Sequence, residues 1–251
     1  MFIRKHTLLP HCIIYLIVFL QLTACSKNSA SPGDNQVPVD TVSTETGMFY
    51  KLHRVENFKG DTTDNNPTAP KATLFYSLEE NTSRTDTYQK TSRWDIAFGG
   101  LYNSFMSGNN GTDSKNYGYG TTGQGGVVVL TTTFDQVTDV PADNLFKTGK
   151  DIAGTDDSGA FGSGTGWYLY DFSGTIMGDG SYQKQHVAYA LPATRTVIIR
   201  TAKGNYAKIK MISCYKDAFT ADKWFRETPH MYFTFEYVLV PKGSKKFEIK
   251  P

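Results

Sequence analysis

The chain has 251 residues and 27.9 kDa of mass, with 39% hydrophobic, 14% aromatic and 20% charged residues. Its 16 Phe and 15 Tyr supply ample core material, while 23 Gly and 10 Pro argue against a helical bundle. Arg4 and Lys5 are the only charged residues among the first 24, so the other 24 basic residues balance 24 acidic ones; no nucleic-acid-type basic excess remains, and a single apolar stretch excludes a polytopic membrane protein.

In chain order, the first expected element is an export signal over residues 1–24. Arg4, Lys5 and His6 precede an apolar run from Leu8 to Leu22, which meets Leu22-Thr23-Ala24-Cys25. This is a lipobox pattern: small residues precede a Cys whose thiol takes a diacylglyceryl group and which becomes residue one after cleavage. Cys25 is therefore the expected lipidation site and membrane attachment point. The run is short for a spanning helix. Residues 25–46 are rich in Ser, Asn, Pro, Asp and Thr, too poor in large apolar side chains to offset ordering entropy, and are expected to form a flexible tether. Residues 47–251 are expected to form one folded domain. Cys12 leaves with the signal and Cys25 carries lipid, so only Cys214 remains; it precludes an intrachain disulfide and reads as a small core residue.

Within the domain, short β-type runs alternate with Gly, Asn, Asp and Pro clusters. Expected strands are Ala72 to Leu78, Trp94 to Phe98, Gly126 to Phe134, Trp167 to Phe172, Thr196 to Thr201, Tyr206 to Cys214 and Met231 to Val240. In the last, Met231, Phe233, Phe235, Tyr237 and Leu239 share one face by period two. Only a turn near Ala218 to Phe225 has helical character. The fold class expected is all-β, a single antiparallel domain with long Gly-rich loops. The first such loop runs from Gly99 to Gly126, with nine Gly in 28 residues, and the second from about Ala153 to Gly166. Loops of this length are ligand-binding or mobile. Lysines 242, 245, 246 and 250 read as a solvated end that anionic headgroups would also attract.

Catalytic patterns are scarce. After residue 24 the only histidines are His53, His186 and His230, and Ser-His-Asp, HExxH and paired-Cys zinc patterns are absent. Gly162-Ser163-Gly164-Thr165-Gly166 lacks the Gly-Lys-Ser/Thr ending of a phosphate loop. Asp156 and Asp157 lack the alternating oxygen ligands of a calcium loop and read as turn residues. No enzymatic activity is expected.

Three segments carry a family resemblance. Trp94-Asp95-Ile96-Ala97-Phe98, followed by a glycine-rich stretch ending at Gly125-Gly126, is similar to the central segment of HmuY-family haem-binding lipoproteins. Phe134-Asp135-Gln136-Val137-Thr138-Asp139-Val140-Pro141-Ala142-Asp143 resembles that family's DQ-to-VP stretch. Arg200-Thr201-Ala202-Lys203-Gly204-Asn205-Tyr206-Ala207-Lys208-Ile209 resembles its arginine strand, tight turn and Ala-Lys strand, with an aromatic strand at Tyr232 to Val240. The order of these pieces covers most of the chain after about residue 70.

The resemblance implies an all-β haemophore, lipid-anchored in the outer membrane, that delivers haem to a TonB-dependent receptor. In that family two axial donors, His or Met, come from separate loops; both are chemically suited to haem iron. One donor interval corresponds to Leu145 through Gly166, which here holds neither His nor Met; the other, Ser173 through Val187, holds Met177 and His186. The iron-ligand candidates are thus Met177, ranked first because it occupies the loop that supplies one axial donor in that family and is flanked by glycines, His186, and Met106 through a rearranged site. Wall candidates are Tyr117, Tyr119 and Trp167. The alternatives are binding of a non-haem iron chelate or small ligand by those aromatic residues, and binding of a partner protein or glycan.

Overall fold

A computed structural model describes residues 47–63, 69, 71–159 and 162–250 of the chain. The expected signal segment, Cys25 and the tether lie outside the described residues.

Thirteen strands are present among the described residues: β1 (Leu52–Lys59), β2 (Leu74–Ser77), β3 (Thr82–Arg84), β4 (Ile96–Gly99), β5 (Phe105–Gly108), β6 (Gly126–Leu130), β7 (Ser158–Gly159), β8 (Gly162–Ser163), β9 (Tyr168–Asp171), β10 (Val187–Ala190), β11 (Thr196–Arg200), β12 (Tyr206–Tyr215) and β13 (His230–Val240). They pair antiparallel in a five-stranded sheet of order β1-β13-β12-β11-β6, a four-stranded sheet of order β3-β2-β4-β5, the β9–β10 hairpin and the short β7–β8 pair. Among the described residues helical structure is confined to short 3-10 turns, including Ala221–Lys223 within the turn expected near Ala218 to Phe225.

The period-two pattern of β13 sets the larger sheet. Phe233, Phe235, Tyr237 and Leu239 point into the main core, while Val238 and Val240 point to a second cluster with Ile198, Phe134, Phe146 and Phe247 on the opposite face. A one-residue slip would exchange the two sets, so the pairings Ala207↔Leu239, Ile209↔Tyr237 and Met211↔Phe235 are strongly specified. The two sheets meet through aromatic rings. Phe98 of β4 stacks on Phe233 at 4.7 Å, and Tyr76 of β2 meets Phe235 edge-on at 5.7 Å. Each such ring, fully buried, contributes about 1.5–3 kcal/mol by removing apolar surface from water.

The Trp94–Phe98 motif clasps the sheets together. The Asp95 carboxylate is buried and accepts the backbone N–H groups of Leu78, Glu79 and Ala202, the last from the turn between β11 and β12. Burial, reinforced by the nearby Glu79, pushes its pKa up to about 6. The β11–β12 turn itself closes through Thr201 and Asn205, with Gly204 at φ +88°, a conformation that suits glycine.

The stretch from Gly99 to Gly126 departs from the expected open loop. It contains β5, and its glycines fold around buried asparagines. Asn116 Nδ2 donates to the Gly108 carbonyl at 2.8 Å, Asn110 Nδ2 to Gly125 at 2.9 Å, and Asn109 Nδ2 to Trp94 at 2.8 Å. A Cβ on Gly108 would sit 2.5 Å from the Gly126 nitrogen, so glycine permits β5 to approach β6. Asp156 is likewise no solvated turn residue: Arg195 grips it with two bonds of 2.7 Å. Strand β1 was not expected from the sequence because, as an edge strand bulged between Val55 and Phe58, it carries charged residues on its exposed face.

Candidate functional site

The β9–β10 hairpin carries the one loop in which sequence reasoning placed two donor candidates. Strand pairing ends at Asp171↔Val187, and the chain between them forms the tip. Asp171 is buried at the base and organises the turn. One of its oxygens accepts the backbone N–H groups of Ile176, Met177 and Gly178 at 2.8–3.1 Å, and the other accepts that of Thr175 at 3.1 Å. Burial alone would raise its pKa, but these N–H groups outweigh it and hold the carboxyl below the usual carboxylate range. Gly174, at φ +73°, lets the turn reverse where a Cβ would meet the backbone of Lys184.

The far side of the loop docks on the segment after β12. Lys184 Nζ donates to the Trp224 carbonyl at 2.8 Å and lies 3.9 Å from the Phe225 ring centroid, while the Arg226 N–H donates to the Gln183 carbonyl. A cleft of about 380 Å³ opens here, lined by Met177, Asp179, Lys184, Tyr189 and Asp222. The buried Tyr189 hydroxyl has no hydrogen-bond partner among the described residues.

His186 is half-buried beside this loop, with its backbone in the left-handed region at φ +58°. That conformation is uncommon for a residue with a Cβ and is held here by the N–H to Phe172 carbonyl bond. The imidazole Nδ1 is 2.7 Å from the Tyr170 hydroxyl, and its ring meets Phe172 edge-on at 4.6 Å. With the proton on Nδ1, that nitrogen donates to Tyr170 and Nε2 is left as the lone-pair donor. The loop and the segment it docks on expose several large apolar side chains. Phe172, Ile176, Met177, Tyr182 and Phe225 are each 40–67% exposed, and together they make up most of the large apolar side chains exposed among the described residues.

The other candidates lie elsewhere. Met106 is fully buried in β5 within the main core, so its thioether is a packing group. Trp167 is 1% exposed and donates its indole N–H to the Ser104 carbonyl, so it offers no wall to a ligand. Tyr117 packs with Phe75 and Trp94 and donates to Asp151 at 3.0 Å; burial first, and that carboxylate second, push its pKa up to about 12. Tyr119 is half-exposed on the same glycine-rich segment, where Lys90 donates to its carbonyl. The structure therefore brings Met177 and His186 to one hairpin, buries Trp167 at the base of that hairpin, and leaves Met106, Tyr117 and Tyr119 apart from it. Cys214 is buried, and burial pushes its thiol up to about 12. Sequence reasoning missed Asp171, Tyr170 and Tyr189. The Asp171 signal was visible in principle, since an acid preceding a Ser-Gly turn is a common loop organiser.

Comparison with known proteins places the chain in a family. The HmuY protein family matches residues 70–237. No curated protein matches. Among solved structures, the apo HmuY analog of Tannerella forsythia aligns at 14% identity and TM-score 0.39, over 76% of this chain and 96% of that one. A Bacteroides fragilis NCTC 9343 protein named as a candidate lipoprotein aligns at 13% identity and TM-score 0.35, over 77% and 91%. With about two-thirds of its length matched, the chain belongs to the HmuY family, a family of binding lipoproteins associated with haem rather than of enzymes.

Proposed function

We propose that this chain is an outer-membrane-anchored haem-binding protein that holds haem at the β9–β10 hairpin tip and passes it to a TonB-dependent receptor. Lipid on Cys25 supplies the anchor. The observation that carries the haem reading is the setting of His186: an imidazole fixed through Nδ1 by Tyr170, with Nε2 as its remaining donor, beside a rim of exposed apolar side chains. Neutral imidazole is a common haem-iron ligand, and a hydrogen bond on the opposite nitrogen orients it and raises its basicity. The apolar rim suits a flat macrocycle, and Lys184 and Arg226 stand near it for the propionates. Met177 occupies the same loop, held rigid by Asp171, and is the alternative donor. Haem, when bound, supplies the iron; the protein's own part is to orient the donor, to cover the macrocycle and to keep the loop preorganised.

Visible spectroscopy during haemin addition tests this reading. A shifted Soret band with defined Q bands is expected, lost in His186→Asn if the imidazole is the donor. In Met177→Ala a larger change in the reduced than in the oxidised spectrum would instead assign the thioether, because a soft sulfur favours ferrous iron. A free-haem spectrum in the parent refutes haem binding and leaves a non-haem chelate, a glycan or a partner protein as the ligand.

A further inference from the structure

Strand β13 has 11 residues, a length of about 35 Å at a strand's rise, and its two ends differ in charge. The hairpin tip sits at the His230 end. His230 pairs with Tyr215, whose hydroxyl accepts the Ala188 N–H of β10 at 2.8 Å, and the segment leading into β13 holds the loop through the Lys184–Trp224 and Arg226–Gln183 bonds. Residues 179–184 and 216–227 of that end carry four acids and four bases, a balanced surface.

At the Val240 end the first and last described segments meet. The Tyr50 N–H donates to the Leu239 carbonyl at 2.8 Å, and the chain after β13 folds back so that the Lys250 N–H donates to the Tyr50 carbonyl at 2.8 Å. The tail is fixed by the bonds from the Val140 N–H to the Lys245 carbonyl and from the Phe247 N–H to the Thr138 carbonyl, with Phe247 buried in the second core cluster. What this fixed tail turns outward is basic. Residues 47–52 and 242–250 hold five lysines, all exposed, against one acid, Glu248; from the neighbouring segment Asp139 reaches Lys246. Ile249 and Leu52 at this end are 60% and 50% exposed.

Ammonium groups attract headgroup phosphates, and an aliphatic side chain beside them enters the headgroup boundary. The chain toward the expected anchor also enters here: Gly47 follows Cys25 by 22 residues, a reach of at most about 80 Å.

We infer that this end of the domain, through Lys51, Lys245, Ile249 and Lys250, docks on the phosphate-bearing headgroups of the leaflet that carries the Cys25 lipid, so that the β9–β10 tip faces away from the bilayer. This rests on the anchor reading and adds an orientation to it: the tip stands a strand length from the headgroups, open to ligand and partner. A few lysines alone hold such a surface weakly, but attachment at Cys25 supplies a high local concentration, so few charges suffice.

The full chain, expressed with its export signal, is incorporated into vesicles of phosphatidylcholine alone and of phosphatidylcholine mixed with an equal amount of phosphatidylglycerol. Flotation with the first reads the anchor by itself, since that surface has no net charge. Fluorescent probes on Ile249→Cys or Tyr182→Cys, one per chain, then report quenching by spin-labelled lipid; Cys214 is buried. The expected result is severalfold stronger quenching of the Ile249→Cys probe in the mixed vesicles and little quenching of the Tyr182→Cys probe in either. The difference should vanish when Lys51→Gln, Lys245→Gln and Lys250→Gln are combined, and in about 1 M salt, where charges are screened within about 3 Å. Equal quenching of the Ile249→Cys probe in the two vesicles, stronger quenching of the Tyr182→Cys probe, or a difference that survives the triple substitution overturns the docking while leaving the anchor intact. A chain that does not float with phosphatidylcholine vesicles overturns the anchor reading and the docking with it.

Discussion

Removing the Asp171 carboxylate should loosen the β9–β10 tip more than it destabilises the protein. Asp171→Ala strands four backbone N–H groups, those of Thr175, Ile176, Met177 and Gly178. Hydrogen bonds to a charged acceptor contribute roughly 1.5–3 kcal/mol each where no water can replace them. These amides are only partly buried, so water recovers much of that, and a net local loss of about 2–4 kcal/mol is the reasonable range. Since about 1.4 kcal/mol is tenfold, amide exchange at these four residues should accelerate by roughly 30- to 1000-fold. The global unfolding midpoint should move less, because the loop opens without the core. Asp171→Asn, which keeps one acceptor oxygen, should fall between parent and Ala. The pH dependence follows from the lowered pKa of the folded carboxyl. Its contribution is present above the unfolded value of about 3.9 and is lost as pH falls through the lower folded value, so protection should hold through neutral pH and collapse only in strong acid. The assay is hydrogen exchange read residue by residue. Unchanged protection of Thr175 to Gly178 in Asp171→Ala would refute the claim that this carboxylate organises the tip.

Asp95 should behave in the opposite sense. Its folded pKa is raised to about 6, chiefly by burial, so its contribution is greatest below the unfolded value and is lost as pH rises through about 6. Urea unfolding should accordingly show the parent losing stability relative to Asp95→Asn between about pH 4 and 7, and a pH-independent difference would contradict that. For the anchor, Cys25→Ala should abolish lipid labelling and partition into detergent, because acyl chains supply roughly 0.8 kcal/mol per buried methylene and the C-terminal lysines far less; membrane partition that survives the substitution would point to another attachment.

The sequence by itself determined the fold class and the elements whose signal is local. The alternation in Met231 to Leu239 specifies a strand with one buried face because side-chain period is a property of the backbone, and β13 follows it. The Arg200 to Ile209 run likewise declares two strands about a Gly204 turn. The motif order sufficed for the family, which residues 70–237 match. Met177 and His186 were also legible, as the donor-type residues in the interval the resemblance pointed to.

What tertiary structure alone decided is where the candidate side chains face and what holds them. Met106 and Met177 are the same side chain in glycine-containing stretches, yet one is fully buried between sheets and the other half-exposed at a tip. Burial depends on which strand packs across the core, which no local window contains. Strand β1 escaped notice because edge strands pair on one side and keep polar residues on the other, so their pattern is weak. The Gly99 to Gly126 stretch looked unstructured because its order comes from three asparagine side chains reaching backbone carbonyls as many as 33 residues away. The left-handed backbone of His186 and its bond to Tyr170 arise where two antiparallel strands bring residues 16 apart into contact, a juxtaposition that exists only once β9 and β10 have paired.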